Sequence, residues 1–340
     1  MVILCISYFT HVRIHGHIRG PFYLFSILTG MKNFLAQSIT FFLFLAVFLC
    51  AGIILWGVFV PYLFKKNIVY APAAHAHMYT RIKDVNATKN VDLLFIGSSL
   101  CYRGFDTRIF RQYGYSSFNL GSSIQTHLQS EVLLKHYLTS LNPRLVIYEV
   151  SPNVFESDGI ESGLDIISND KIDFASLQMA LRLNDIKVYN SLLFAYYEQW
   201  VGANKNLSEP VTREILTYTK GGYEQSPMNF YKDDSVYVHR DYVLADDQLK
   251  AFYRNLQYLR DCKTPYILVQ APNTKAVYKS IQNARHIDSL YYTCGTYFNF
   301  NNAHGFEDTF HFYDQGHLNQ HGVTLFNQKL IALLNQLKIK

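Results

Sequence analysis

The chain opens on one long apolar stretch and then settles into a regular alternation of short apolar runs and amphipathic segments. No charged residue occurs between Lys32 and Lys65, and nearly every position from Ile39 to Phe64 is apolar. That is longer than the ~20 residues a helix needs to cross a bilayer. Trp56 and Tyr62 lie toward its far end, where aromatic rings favour the membrane interface. The pattern predicts one transmembrane helix within 34–64, as part of an anchor spanning 31–66. A soluble core helix rarely stays uncharged for so long. A cleaved signal peptide has a shorter apolar core and a small-residue cleavage site, which Pro61-Tyr62-Leu63-Phe64 does not offer. Residues 1–30 form an extension without clear periodicity, ahead of Met31-Lys32-Asn33-Phe34, which itself reads as a start. Two readings stand: an upstream start assigned in error, or a short cytoplasmic or interfacial tail.

After a connector over 67–90, period-2 and period-3.6 patterns take over. Val91–Ile96, Ser117–Leu120, Arg144–Val150 and Pro265–Val269 read as strands. Asp106–Tyr113, Leu128–Leu141, Leu249–Leu259 and the segment from Gln320 to Leu337 read as helices. Strands separated by helices imply a parallel sheet covered on both faces, here a three-layer α/β/α sandwich of flavodoxin-like type over 91–340. The rhythm breaks over an insertion at 154–245. Helical pieces are expected near Phe174–Leu183 and Val188–Trp200, followed by a tract with Tyr218, Tyr223, Tyr231, Tyr237 and Tyr242. Long insertions of this kind form lids or substrate walls; a tyrosine-rich cover over the core is the plainer reading.

Composition narrows the class. Of 340 residues 49% are hydrophobic, which supports a sizeable core and argues against disorder. Net charge is +5; the first thirty residues carry Arg13 and Arg19 and no acid, leaving 29 − 26 = +3 for the rest, too little for a nucleic-acid footprint. Five irregularly spaced cysteines make neither a disulfide framework nor a zinc pattern, with a single Cys262–Cys294 bridge left open. His75-x-His77 lacks a neighbouring carboxylate or cysteine and reads as ordinary surface histidines. No metal and no cofactor is expected. Lys65 and Lys66 on one side of the anchor face Arg19 and Lys32 on the other, so charge leaves orientation open. A first anchor followed by most of the chain favours export of the bulk.

Candidate chemistry lies at two places. The first strand ends in Gly97-Ser98-Ser99, which lacks the G-x-S-x-G pattern of an α/β-hydrolase elbow. Near the other end stands Asp314-Gln315-Gly316-His317. A serine hydroxyl becomes a useful nucleophile when a histidine takes its proton, and a carboxylate on Nδ1 leaves Nε2 for that task. An aspartate and a histidine three apart can meet on one turn. His311 and His321 are rival bases nearby.

Together these blocks resemble the SGNH (GDSL-like) hydrolase family, in its membrane-anchored branch. Ile96-Gly97-Ser98-Ser99 matches the first block, Asn119-Leu120-Gly121 the second, Ser151-Pro152-Asn153 the third in degraded form, and Asp314-Gln315-Gly316-His317 the last. The resemblance implies a catalytic triad of Ser99, His317 and Asp314 and an oxyanion hole made by Ser99, Gly121 and Asn153. It also implies acyl transfer, commonly of acetyl, to or from a cell-envelope polysaccharide, a membrane-bound O-acyltransferase as partner, and a domain outside the cytoplasmic membrane. A plain esterase or deacetylase, and a non-catalytic glycan-binding module, are the alternatives.

Overall fold

A computed structural model describes residues 21–203, 207–232 and 237–338. The chain divides into two compact units, 1–55 and 56–340, the break falling inside the first helix. That helix, α1, runs Pro21–Phe59 and stops just before Pro61, whose ring and missing N–H end a helix. It is the one described helix long and apolar enough to cross a membrane, over Thr29–Phe59. Those 31 residues extend ~46 Å at 1.5 Å per residue, well beyond a hydrocarbon core. The helix begins at Pro21, ahead of residue 31, where the anchor was expected to start. Residues 1–20 of the expected extension lie outside the described residues.

The second unit follows in chain order: α2 (Met78–Ala87), β1 (Leu93–Ile96), α3 (Ser99–Tyr102), α4 (Thr107–Gln112), β2 (Ser117–Asn119), α5 (His127–Leu141) and β3 (Leu145–Glu149). The insertion supplies α6 (Ile160–Asn169), α7 (Phe174–Leu183), α8 (Ile186–Val201) and the short strands β4 (Thr212–Arg213), β5 (Leu216–Thr219) and β6 (Tyr223–Gln225). The chain ends with α9 (Asp246–Asp261), β7 (Tyr266–Gln270), α10 (Lys275–Ser280), α11 (Ala284–Cys294), β8 (Tyr297–Asn299), α12 (Asp308–His311) and α13 (Gln320–Gln336).

Five strands form one parallel sheet in the order β2-β1-β3-β7-β8. This is the doubly wound order whose switch point lies between β1 and β3, where the crevice at the strand carboxyl ends takes ligands. The pleat sorts side chains cleanly. Leu94, Ile96, Val146, Tyr148 and Leu268 join the core on one face, with residues of α5 and α9. Leu93, Phe95, Leu145, Ile147, Ile267 and Val269 join the core on the other, with residues of α4 and α13. Both faces are covered, which is why these strands read as continuous apolar runs rather than alternating ones. The expected three-layer α/β sandwich is therefore present. β8 was not foreseen from the sequence.

Two expectations need correction. The 67–90 connector is an integral part of the domain. Met78, Ile82 and Val85 of α2 enter the core, and Arg81, with no exposed surface, donates to Glu224 Oε1 at 2.7 Å and to the Gly222 carbonyl. His77, expected at the surface, is 1% exposed and sits with Nδ1 3.4 Å from Glu224. A buried guanidinium and carboxylate hold one another because neither survives alone in an apolar interior. Cys262 and Cys294, whose pairing the sequence left open, are free thiols.

The insertion is mostly packed structure. α6 and α7 pack against α5, and α6 also packs against α2. The β5–β6 turn lies on the edge of β2, where the Asn119 N–H donates to the Gly221 carbonyl at 2.8 Å. Gly222, at φ +91°, approaches so closely that any Cβ would overlap the Asn119 carbonyl. This turn covers a sheet edge that would otherwise be open to pairing.

Candidate active site

The site forms at the carboxyl ends of β1 and β3, around the turn from β1 into α3. Gly97 has φ +153°, and a Cβ there would lie 2.7 Å from the Glu149 Cβ, so only glycine fits between the two strand ends. The next residue, Ser98, is the N-cap of α3: its side chain accepts the Leu100 N–H. That capping role leaves Ser99 free for another. As the first residue of α3, Ser99 has an N–H without an intrahelical acceptor, and its Oγ lies 2.9 Å from His317 Nε2.

His317 sits on a tight turn between two buried anchors. Phe312 and Leu318, 0% and 6% exposed, form an antiparallel bridge, and the Tyr313 N–H donates to the His317 carbonyl at 2.8 Å. Within the turn Asp314 Oδ1 accepts the N–H groups of Gly316 and His317, at 2.9 and 2.8 Å. Both Asp314 oxygens lie 2.9 Å from His317 Nδ1. Partial burial would raise the Asp314 pKa, but the His317 hydrogen bond and charge, with the two N–H groups, hold it down to about 2. A carboxylate on Nδ1 keeps the ring proton there, and Nε2 is left to accept from the Ser99 hydroxyl. The structure thus brings Ser99, Asp314 and His317 together across 218 residues of chain.

The rival histidines are elsewhere. His321 stacks on Phe310 with ring centroids 4.8 Å apart, and His311 Nδ1 accepts the Glu307 N–H at 3.0 Å. Capping of α13 falls to Asn319, whose side chain accepts from His321 and Gly322, and not to Asp314.

The expected oxyanion donors fare unequally. Asn153 is exposed on the turn after β3 and lines the same cleft as Ser99 and His317. The Gly121 N–H, in contrast, is donated to the Asn119 side chain at 3.0 Å. A Cβ at Gly121 would lie 2.8 Å from the Tyr102 nitrogen, so this glycine is required for close packing of the β2 loop against α3. The Gly121 donor expected for the oxyanion hole is held by Asn119 in this structure. Asn119 is itself fully buried, with its amide nitrogen donating to the Cys101 and Phe105 carbonyls.

The cleft has a volume of about 920 Å³. Its far wall comes from the insertion: Tyr231, Tyr237, Arg240 and Tyr242. The Arg240 guanidinium lies 4.5 Å from the Tyr242 ring centroid and 3.3 Å from a Glu156 oxygen. Its backbone exchanges hydrogen bonds with Ser280 and Gln282, which ties the wall to the main domain. Gln270 and Asn273, after β7, complete the polar lining. Sequence reasoning singled out the tyrosines without placing them, and it missed Arg240 altogether.

Glu149 was also missed, although a lone acid closing a β-branched run was a visible signal. It lies beneath the Ser99 turn, 1% exposed, and accepts from the Ser98 and Ser151 hydroxyls. Burial pushes its carboxyl up from 4.5 to about 7, against the opposing pull of hydrogen bonds from Ser151, Ala271 and Ser98. Because the folded pKa is raised, the folded chain holds a proton that the unfolded chain releases above pH 4.5. Its stabilising contribution is complete below 4.5 and is lost as pH rises through about 7. Glu149→Gln should therefore gain on the wild type as pH rises, by at most ~3–4 kcal/mol above pH 8 at about 1.4 kcal/mol per unit. Urea unfolding of both proteins between pH 4.5 and 8.5 checks this. A gap that does not widen with pH would show an ordinary carboxylate at this position.

No family model matches the chain, and no curated protein sequence matches it. Solved structures matching it include a protein from Bacteroides fragilis NCTC 9343 assigned by name only as an acylhydrolase. It is 11% identical over 78% of this chain and 98% of that one, with a TM-score of 0.40. Another is a gut microbial diltiazem-metabolizing enzyme, 13% identical over 72% of this chain and 47% of that one, with a TM-score of 0.25. Likenesses at this level carry no functional inference.

Proposed function

We propose that the chain is a membrane-anchored serine acyl-transfer enzyme of SGNH type. The observation that carries this reading is the continuous Ser99–His317–Asp314 hydrogen-bond chain, with 2.9 Å at each link, opening into a large cleft. In this mechanism His317 Nε2 takes the Ser99 proton as Oγ attacks an acyl carbonyl carbon. The Ser99 N–H and the Asn153 side-chain amide stabilise the resulting oxyanion. Collapse breaks the ester bond, the leaving alkoxide takes the proton from Nε2, and the acyl group remains on Ser99. An incoming hydroxyl then gives its proton to Nε2, attacks the acyl-enzyme and restores the serine.

The acceptor in the preferred reading is a hydroxyl of a cell-envelope polysaccharide, with acetyl as the group and a membrane-bound O-acyltransferase as its source. Aromatic rings beside amide and hydroxyl groups suit a sugar face and its hydroxyls, and Tyr231, Tyr237, Tyr242, Gln270 and Asn273 supply such a lining. Anchoring through α1 with the domain on the outer face belongs to the same reading. Hydrolysis is the second reading. His317 is 22% exposed at its side chain, so water reaches the base directly.

A fluorophosphonate probe on the full chain in detergent tests the first half of the cycle. The wild type should label at one serine, and Ser99→Ala should not label. An unlabelled wild type, folded by circular dichroism, would favour a glycan-binding module without turnover. Release of acyl product with and without an added oligosaccharide then separates transfer from hydrolysis.

A further inference from the structure

Away from the cleft, large apolar side chains gather on two neighbouring helices of the insertion. On α7, Phe174, Leu177 and Leu181 are exposed at i, i+3 and i+7, while Ser176, Met179 and Ala180 are buried. On α8, Ile186, Tyr196 and Trp200 are exposed, Trp200 at 80%, while Val188, Ser191, Leu192, Phe194 and Ala195 are buried. The helices run antiparallel. The Ile172 N–H donates to Gln199 Oε1 at 3.0 Å and Gln199 Nε2 to the Asp170 carbonyl at 2.6 Å, which sets the Phe174 end beside the Trp200 end. Soluble domains seldom leave apolar stripes of this extent in water.

The covering layer is indicated by what α8 rests on. Gly57, in the last turn of the apolar helix, meets the Phe194 ring so closely that a Cβ there would overlap it. The Lys65 ammonium donates to the Gly57 carbonyl and lies 5.7 Å from the same ring. The Tyr70 ring stands edge-on to Phe194 at 5.6 Å, and the Val69 N–H donates to Ser191 Oγ at 2.8 Å. This segment exposes Phe59, Leu63 and Phe64 at 77%, 80% and 68%. α8 thus rests, through its buried Phe194 and Ser191, on the segment at the exit of the apolar helix. The composition of the stripes on α7 and α8 is that of an interface: tyrosine and tryptophan, with exposed Lys171 just ahead of α7 and exposed Lys187 at the start of α8.

We propose that α7 and α8 lie on the surface of the bilayer, with Phe174, Leu177, Leu181, Ile186, Tyr196 and Trp200 in the boundary between headgroups and acyl chains. The domain is then held to lipid at two places, the helix and this hairpin. The proposal rests on the reading of 29–59 as a membrane span, and the test separates the two.

The chain has two tryptophans, Trp56 and Trp200. Full-length Trp56→Phe, reconstituted in vesicles of phosphatidylcholine and phosphatidylglycerol, makes Trp200 the only indole. Its emission should be blue-shifted, protected from iodide, and lost most strongly to phospholipids brominated high on their acyl chains. Trp200→Phe gives the matching readout for the helix at Trp56. Quenching of Trp56 by bromolipid, with Trp200 open to iodide and untouched by bromolipid, would overturn the proposal and leave the anchor intact. Trp200 shielded from iodide yet untouched by bromolipid would assign the patch to a protein contact and overturn it equally. Loss of bromolipid quenching at both positions would remove the membrane reading itself.

Discussion

Replacing His317 with alanine should abolish acyl transfer while leaving the fold in place. The ring is the only group within hydrogen-bond reach of Ser99 Oγ among the described contacts, so without it the hydroxyl has no base. Removal of the histidine from another Ser–His–Asp site lowers kcat on the order of 10⁶-fold, and a comparable loss is expected here. Packing changes little, because the side chain is partly exposed and the turn is held by Phe312, Leu318 and the backbone bonds to Asp314. Turnover of an activated acetyl ester and the thermal midpoint, measured on the same preparation, check both halves. His321→Ala is the control. Its ring stacks on Phe310, and its loss should leave the rate near that of the wild type. A His317→Ala enzyme that still turned over would dismiss the triad.

Asp314→Asn should lower the rate on the order of 10⁴-fold, as for a wrongly set histidine tautomer in other triads. An amide nitrogen facing Nδ1 favours the proton on Nε2, where it blocks acceptance from Ser99. The pH profile distinguishes this from simple loss of charge. Asp314 is held at about 2, below its usual 3.8, so its stabilising contribution is present above 3.8 and is lost only as pH falls toward 2. Between pH 5 and 9 the carboxylate is fully ionised, and the profile of kcat/KM there owes nothing to its titration. The Asn variant should therefore be depressed across the whole window. A negligible loss would mean that Ser99 and His317 work as a dyad, with Asp314 shaping its turn.

Much of this was legible in local pattern. The uncharged run from Ile39 to Phe64 pointed to a helix long and apolar enough to cross a membrane because apolarity and length are read directly from composition. The runs at 93–96, 145–149 and 266–270 read as buried strands because a sheet covered on both faces needs no polar alternation. Ser99, Asp314 and His317 stood out because a short motif carries its own spacing. What the tertiary structure alone decided depends on partners far apart in the chain. It put the Ser98 side chain on the Leu100 N–H and the Ser99 hydroxyl 2.9 Å from His317 Nε2. It set the His317 ring against Ser99 through a folded turn pinned at Phe312 and Leu318, with the His321 ring on Phe310 and His311 on the Glu307 N–H. It engaged the Gly121 N–H with Asn119, and it turned an apparent linker into packed structure through Arg81 and Glu224, 143 residues apart. Period and propensity act over a few residues, whereas a buried charge or a backbone donor finds its partner wherever the chain returns, and that return is a property of the fold.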